Sequence, residues 1–64
     1  MKIDGKKLLD ERTKANKTRA EVGAIMGVTY QRIQQLEKPG LHDIKPIILK
    51  AIAKFLGVKP QNLQ

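Results

Sequence analysis

The chain has no cysteine and no tryptophan, and its only aromatic residues are Tyr30 and Phe55. Without cysteine there is no disulfide framework and no thiolate metal site. The single histidine, His42, has no second ligand, nucleophile or orienting carboxylate in a recognisable motif, so neither a metal, nor a cofactor, nor an enzymatic activity is expected. No apolar run approaches the ~20 residues of a membrane span. Lys2, Lys6 and Lys7 lead into an amphipathic stretch instead of a long apolar one, which is not the pattern of a secretory leader. A cytoplasmic protein without a membrane role is the expectation. Scarce aromatics argue against recognition by stacking unpaired bases, so duplex nucleic acid fits better than single strands. Acidic residues are few as well: six, against 13 lysines and arginines, for a net charge of +7. That balance calls for a polyanionic partner. With 64 residues, the chain is read as one domain spanning 1–64, near the lower limit for folding alone.

What is present is a helical signal with sharp punctuation, centred on residues 18–37. Thr18 with Glu21 three residues later forms a capping box at a helix start. Val22, Ile25 and Met26 follow at helical spacing, and the run stops at Gly27, which takes a left-handed helix end without a Cβ penalty. Val28 plugs the turn and Thr29 caps a second helix, predicted over 29–38. Ile33 and Leu36 seal that helix onto the first, and Gly23 lets the two approach closely. This is a helix-turn-helix with a tight three- to four-residue turn. The second helix keeps Tyr30, Gln31, Arg32, Gln34 and Gln35 outside its apolar pair. Gln31 and Gln35, four apart, share a face. Glutamine pairs with adenine N6 and N7, and arginine with guanine O6 and N7, in a major groove. Tyr30 can meet a thymine methyl with its ring or a phosphate with its hydroxyl. The first N–H groups of the Thr18 helix form a ready phosphate site, to which Arg19 adds a full charge.

Thr18-x-Ala-Glu21, Gly27-Val28-Thr29 and Ile33-Gln-Gln-Leu-Glu37 closely resemble the Cro/repressor (XRE-type) helix-turn-helix proteins of phages and bacteria, and the resemblance runs from about Leu8 to Leu63. It implies an all-α fold, a compact lambda-repressor-like bundle of four to five short helices. It implies that the N-terminal turn of the second helix enters the major groove, with Tyr30, Gln31, Arg32 and Gln35 reading bases and Thr29 at base or flanking phosphate. It also implies that Arg12 pairs with Glu37 and is oriented toward a phosphate, and that Lys38, His42 and Lys45 follow the backbone from the next loop. The chain departs from the family at Gly23, where Ala is more usual, and at Arg19, where Gln is typical. Since that Gln braces the first reading residue, Arg19 is expected to brace Tyr30 as well as meet phosphate.

The remaining chain frames this core. A helix is predicted from Ile3 or Asp4, capped by Asp4, with Ile3, Leu8, Leu9, Arg12 and Ala15 on one face and Asn16 as a left-handed end. Residues 38–45 read as a loop opened by Pro39 and Gly40. Pro46 begins a fourth helix that runs to Leu56 and ends at Gly57. Leu49, Ile52, Ala53 and Leu56 close the core. Ile47, Ile48, Ala51 and Phe55 form a second strip, widening the apolar arc to roughly 240° where about 100° would serve a monomer. That surplus predicts a dimer surface at Ile47, Ile48 and Phe55, part of which could instead lie under the 38–45 loop. Pro60 starts a last turn that folds Leu63 back.

The expected function is a sequence-specific, Cro-like repressor that binds a palindromic operator in double-stranded DNA as a homodimer, formed beforehand or only on the DNA. Two other classes stay open. Residues 45–56 could act as a cationic amphipathic membrane helix, which would leave the 18–37 pattern unexplained. The fold could also serve as a protein-interaction module, antitoxin- or coactivator-like, which would have no need of Gln31, Arg32 and Gln35 on one side.

Overall fold

A computed structural model describes all 64 residues. The elements follow in the order β1 (Lys2–Asp4), α1 (Gly5–Lys14), α2 (Arg19–Met26), α3 (Tyr30–Leu36), β2 (Leu41–Asp43), α4 (Pro46–Leu56) and a 3-10 turn at Pro60–Leu63. Helices α1, α2 and α4 begin and end where local chemistry dictates. Asp4 caps α1, its Oδ1 accepting the Lys7 N–H at 3.1 Å. Asn16 sits in the left-handed region at φ 58°, as do Gly27 and Gly57 behind α2 and α4 at 69° and 74°. The capping box of α2 is complete: Thr18 Oγ1 accepts the Glu21 N–H, and Glu21 Oε1 accepts the Thr18 N–H.

Ten apolar residues from every element except β2 share one core: Ile3, Leu8, Val22, Ile33, Leu36, Leu49, Ile52, Ala53, Leu56 and Leu63. On α4 this is the predicted strip, and Lys50 and Lys54 are exposed. The strip beside it divides. Ile48 and Phe55 pack against the core, and Ile47 stands 73% exposed. The Lys17 ammonium lies 5.0 Å from the centroid of the Phe55 ring, covering that side of α4.

The fold is all-α apart from a two-stranded ribbon, and the ribbon corrects two expectations. Residues 2–4 are a strand, not the first turn of α1, and residues 41–43 are its antiparallel partner, not loop. Ile3 opposes His42, and the pairing is prolonged at both ends by Gly5 N–H to Gly40 O at 2.9 Å and Ile44 N–H to Met1 O at 3.0 Å. Lys2 and Asp43 also form an ion pair across it. Gly5, which the sequence reading passed over, is buried beneath this junction. A Cβ on it would sit 1.9 Å from the Lys38 carbonyl oxygen, so no other residue fits. Ile25 is a further correction: it is 46% exposed. The buried side of α2 is centred on Val22, Gly23 and Met26, and Ile25 lies about 110° away around the helix. Val28, expected to plug the turn, is 37% exposed. The tight turn is closed instead by Val28 N–H bonding Gly23 O at 2.9 Å, with the Val28 carbonyl oxygen 2.7 Å from where a Gly23 Cβ would be.

Candidate nucleic-acid interface

The α2–turn–α3 unit sets the site. Ile33 and Leu36 are buried, which orients the rest of α3. Counting 100° per residue from the middle of that buried arc, Gln31 and Gln35 fall on the outward side, 170° and 130° away. Both are exposed, as are Gln34, Tyr30 and Arg32. Arg32 and Tyr30 stand on opposite flanks. Arg32 borders an apolar groove lined by Met26, Val28, Ile44 and Ile48. Tyr30, 53% exposed, borders a polar cleft with Arg12, Lys17, Thr18 and Arg19. Thr29 occupies the cap position of α3 with its hydroxyl making no capping bond. The structure therefore brings Gln31 and Gln35 together on the outward side of α3, with Gln34 as far from the buried arc as Gln35, and sets Tyr30 and Arg32 apart on its two flanks.

The cleft beside Tyr30 lies over the first turn of α2. The capping box satisfies the Glu21 N–H, and the N–H groups of Arg19 and Ala20 remain unpartnered within the helix. Thr18's backbone N–H, and then its hydroxyl contact, hold the Glu21 carboxyl below its ordinary pKa. Arg12, Lys17 and Arg19 line the cleft with no acidic residue among its walls.

Beneath it lies the ion pair that the resemblance implied, in a more elaborate form. Glu37, the C-cap of α3, has a side chain only 2% exposed. Arg12 donates Nε to its Oε2 and Nη2 to its Oε1 at 3.2 Å, and gives Nη1 to the Lys17 carbonyl at 2.8 Å. Arg19 donates Nε to the same Oε1 at 2.8 Å. Arg19 thus braces Glu37 and not Tyr30. Glu37 joins α1, α2 and α3, and the Lys17 carbonyl adds the turn between the first two. Nothing in residue spacing could have shown that Arg19 and Glu37, 18 positions apart, would meet.

The other expected phosphate contacts are spread along the ribbon side. Lys38 and Lys45 are exposed at either end of β2. His42 is partly covered, and its Nε2–H reaches the Lys38 carbonyl at 2.7 Å. Of the residues expected at a dimer surface, Ile47 is the open one.

A helix-turn-helix with an exposed amide- and guanidinium-bearing second helix, flanked by a cationic cleft, defines the class of duplex-binding helix-turn-helix domains. The helix-turn-helix family model matches residues 8–63, and the chain belongs to that family, of the XRE type. It is a family of DNA-binding regulators and not typically of enzymes, and membership implies binding of double-stranded DNA. A search of curated proteins finds no match. No helix is long and apolar enough to cross a membrane.

Proposed function

We propose that the protein is a sequence-specific regulator of the Cro-like kind, repressing by occupying a palindromic operator as a two-fold dimer. Two copies of α3 would lie in successive major grooves about 34 Å apart on one face of the duplex. Gln31 and Gln35 read bases at the centre of the contact, with Tyr30 and Arg32 to either side. Arg12, Thr18, Arg19 and Thr29 hold phosphates on one flank, and Lys38, His42 and Lys45 on the other. Phosphate contacts position the protein and base contacts specify the site. Ile47, with Ile48 and Phe55 behind it, meets the second copy.

The observation that carries this reading is the outward placement of Gln31 and Gln35 on a helix locked by Ile33, Leu36 and Glu37. Selection from a random duplex library at two salt concentrations tests it. A palindromic motif with half-sites about 10 base pairs apart is the expected result. Gln31→Ala or Gln35→Ala should then weaken binding to the selected site by ~1–3 kcal/mol per lost base contact while leaving random DNA almost unaffected. Equal losses on both DNAs would remove α3 from the readout. Retention without a motif that vanishes at higher salt would leave only phosphate attraction and favour an interaction module.

A further inference from the structure

We propose that the groove between the helix-turn-helix and the start of α4 binds a small free carboxylate with an apolar tail, and that its occupation draws Arg32 away from the duplex. The binding site stands on its own geometry, and its effect on regulation rests on the DNA-binding reading above.

The groove encloses about 650 Å³, inside the roughly 300–1,000 Å³ of small-molecule sites. Its apolar lining is Met26, Ile44 and Ile48, half-buried against the core, and Val28 and Met1, which remain 37% and 52% exposed. A contiguous apolar patch rimmed by polar groups marks a binding surface. What covers it is decided by charge. Arg32 and Lys45 also line the groove, and both are exposed. The ion pairs of the chain engage Lys2, Arg12, Lys14 and Arg19, and neither Arg32 nor Lys45. The one carboxylate in the lining, Asp43, is already taken by Lys2. A second copy of the chain, at +7, would set like charge against the two free cations, and a neutral ligand would leave them unanswered. A carboxylate answers both. Guanidinium presents parallel N–H donors to its two oxygens, and the lysine adds a point charge.

Arg32 ties this groove to the duplex. It stands on the groove flank of α3, about 70° from the middle of the buried arc, while Gln31 and Gln35 point outward. A guanidinium bound to a carboxylate has given up the charge and the donors that would serve guanine. Ligand and duplex therefore compete for one side chain, and by linkage each weakens the other.

Octanoate is the probe, with octanol as its uncharged counterpart, both kept well below aggregation. Methyl and amide NMR of the DNA-free protein at low salt follows each titration. Octanoate should move the methyls of Met26, Val28, Ile44 and Ile48 saturably, with a Kd of about 1 mM or tighter. Octanol should bind about 10-fold more weakly, the equivalent of one charge-assisted hydrogen bond. Arg32→Gln and Lys45→Gln should each weaken octanoate by about the same 10-fold. Lys54→Gln, which removes a cation outside the groove, should leave it unchanged. No saturable shift, equal binding of octanol, or shifts centred on Ile47 or Leu41 would each overturn the site. So would undiminished binding in Arg32→Gln or Lys45→Gln, or an equal loss in Lys54→Gln. The selected operator and a random duplex are then compared with octanoate present, against acetate at the same ionic strength. Octanoate should lower the parent's operator-over-random preference to that of Arg32→Gln, and leave that variant's own preference as it is. A parent preference untouched by bound octanoate would overturn the coupling to DNA. A parent that binds no duplex even without octanoate would instead bring down the DNA-binding reading, with the groove still judged by NMR alone.

Discussion

Glu37 shows how much one side chain can decide in so small a protein. An exposed ion pair contributes ~0–1 kcal/mol, and Arg12 with Glu37 would be worth no more on a solvated surface. Burial makes the pair matter more. With its carboxylate 2% exposed, Glu37→Ala strands two guanidinium groups in a partly dry site and should cost about 3 kcal/mol in urea unfolding, near the lower end for broken buried pairs because Arg19 is well solvated. A loss below about 1 kcal/mol would mean the cluster is as slack as a surface pair. The capping carboxylate behaves differently. Glu21 is held below its ordinary pKa by Thr18, as Asp43 is by its hydrogen bond to Lys2 and then by that residue's charge. A lowered folded pKa means stability that is present above the unfolded value, about 4, and lost as pH falls through the folded one. Acidification below pH about 4 should therefore loosen the α2 start and the ribbon before the rest. Amide exchange at position 21 checks this: Glu21→Gln, which keeps an acceptor for the Thr18 N–H but does not titrate, should abolish the pH dependence there, and Thr18→Ala, which keeps that N–H, should only reduce it.

Among the elements, helices announced by caps were legible and the ribbon was not. Asp4 and Thr18 cap through their side-chain oxygens and Asn16, Gly27, Pro46 and Gly57 act through their own backbone; all act within a few residues, so they mark ends in the sequence itself. Strands of three residues have no such signature. Lys2-Ile-Asp4 reads equally well as one helical turn, and only its pairing with residues some 40 positions away decides otherwise. Ile25 misled for a similar reason: periodicity places it near the apolar arc, and the centre of that arc is set by how α4 docks. The polar face of α3 could be read because Ile33 and Leu36 define it alone. The Arg12–Glu37 pair came from the family resemblance, and Arg19 joining it was visible only in three dimensions. Gly23 poses a test between two effects at this scale. Gly23→Ala gains about 1 kcal/mol of helix propensity, but its Cβ would lie 2.7 Å from the Val28 carbonyl oxygen, a clash with backbone. Overpacking of that kind costs about 1–3 kcal/mol, so the variant should be less stable in urea. A more stable one would show that the turn can move aside.

For the whole molecule, the feature to test is the proposed self-association. The wheel of α4 overstated the surplus apolar surface, because Ile48 and Phe55 are drawn partly into the chain's own core. Ile47 remains, next to the groove formed by Met1, Val28, Ile44 and Pro46. Ile47→Lys should leave folding within about 0.5 kcal/mol of the parent, as expected for an exposed position. On the proposed dimer, formed beforehand or only on the DNA, it should abolish cooperative filling of the two half-sites. Cooperative filling that persists unchanged would place the contact elsewhere.

The ribbon has one more consequence, for the order in which the chain comes together. Lys2 and Asp43 are 41 positions apart, and α1, α2 and α3 all lie in the loop between them. Closing a long loop costs entropy that neighbouring helices do not pay. The helix-turn-helix can therefore assemble first from short-range contacts, with the ribbon as a clasp that shuts last, Gly5 slipping beneath the Lys38 carbonyl. In the reverse direction the clasp is where the native protein begins to open.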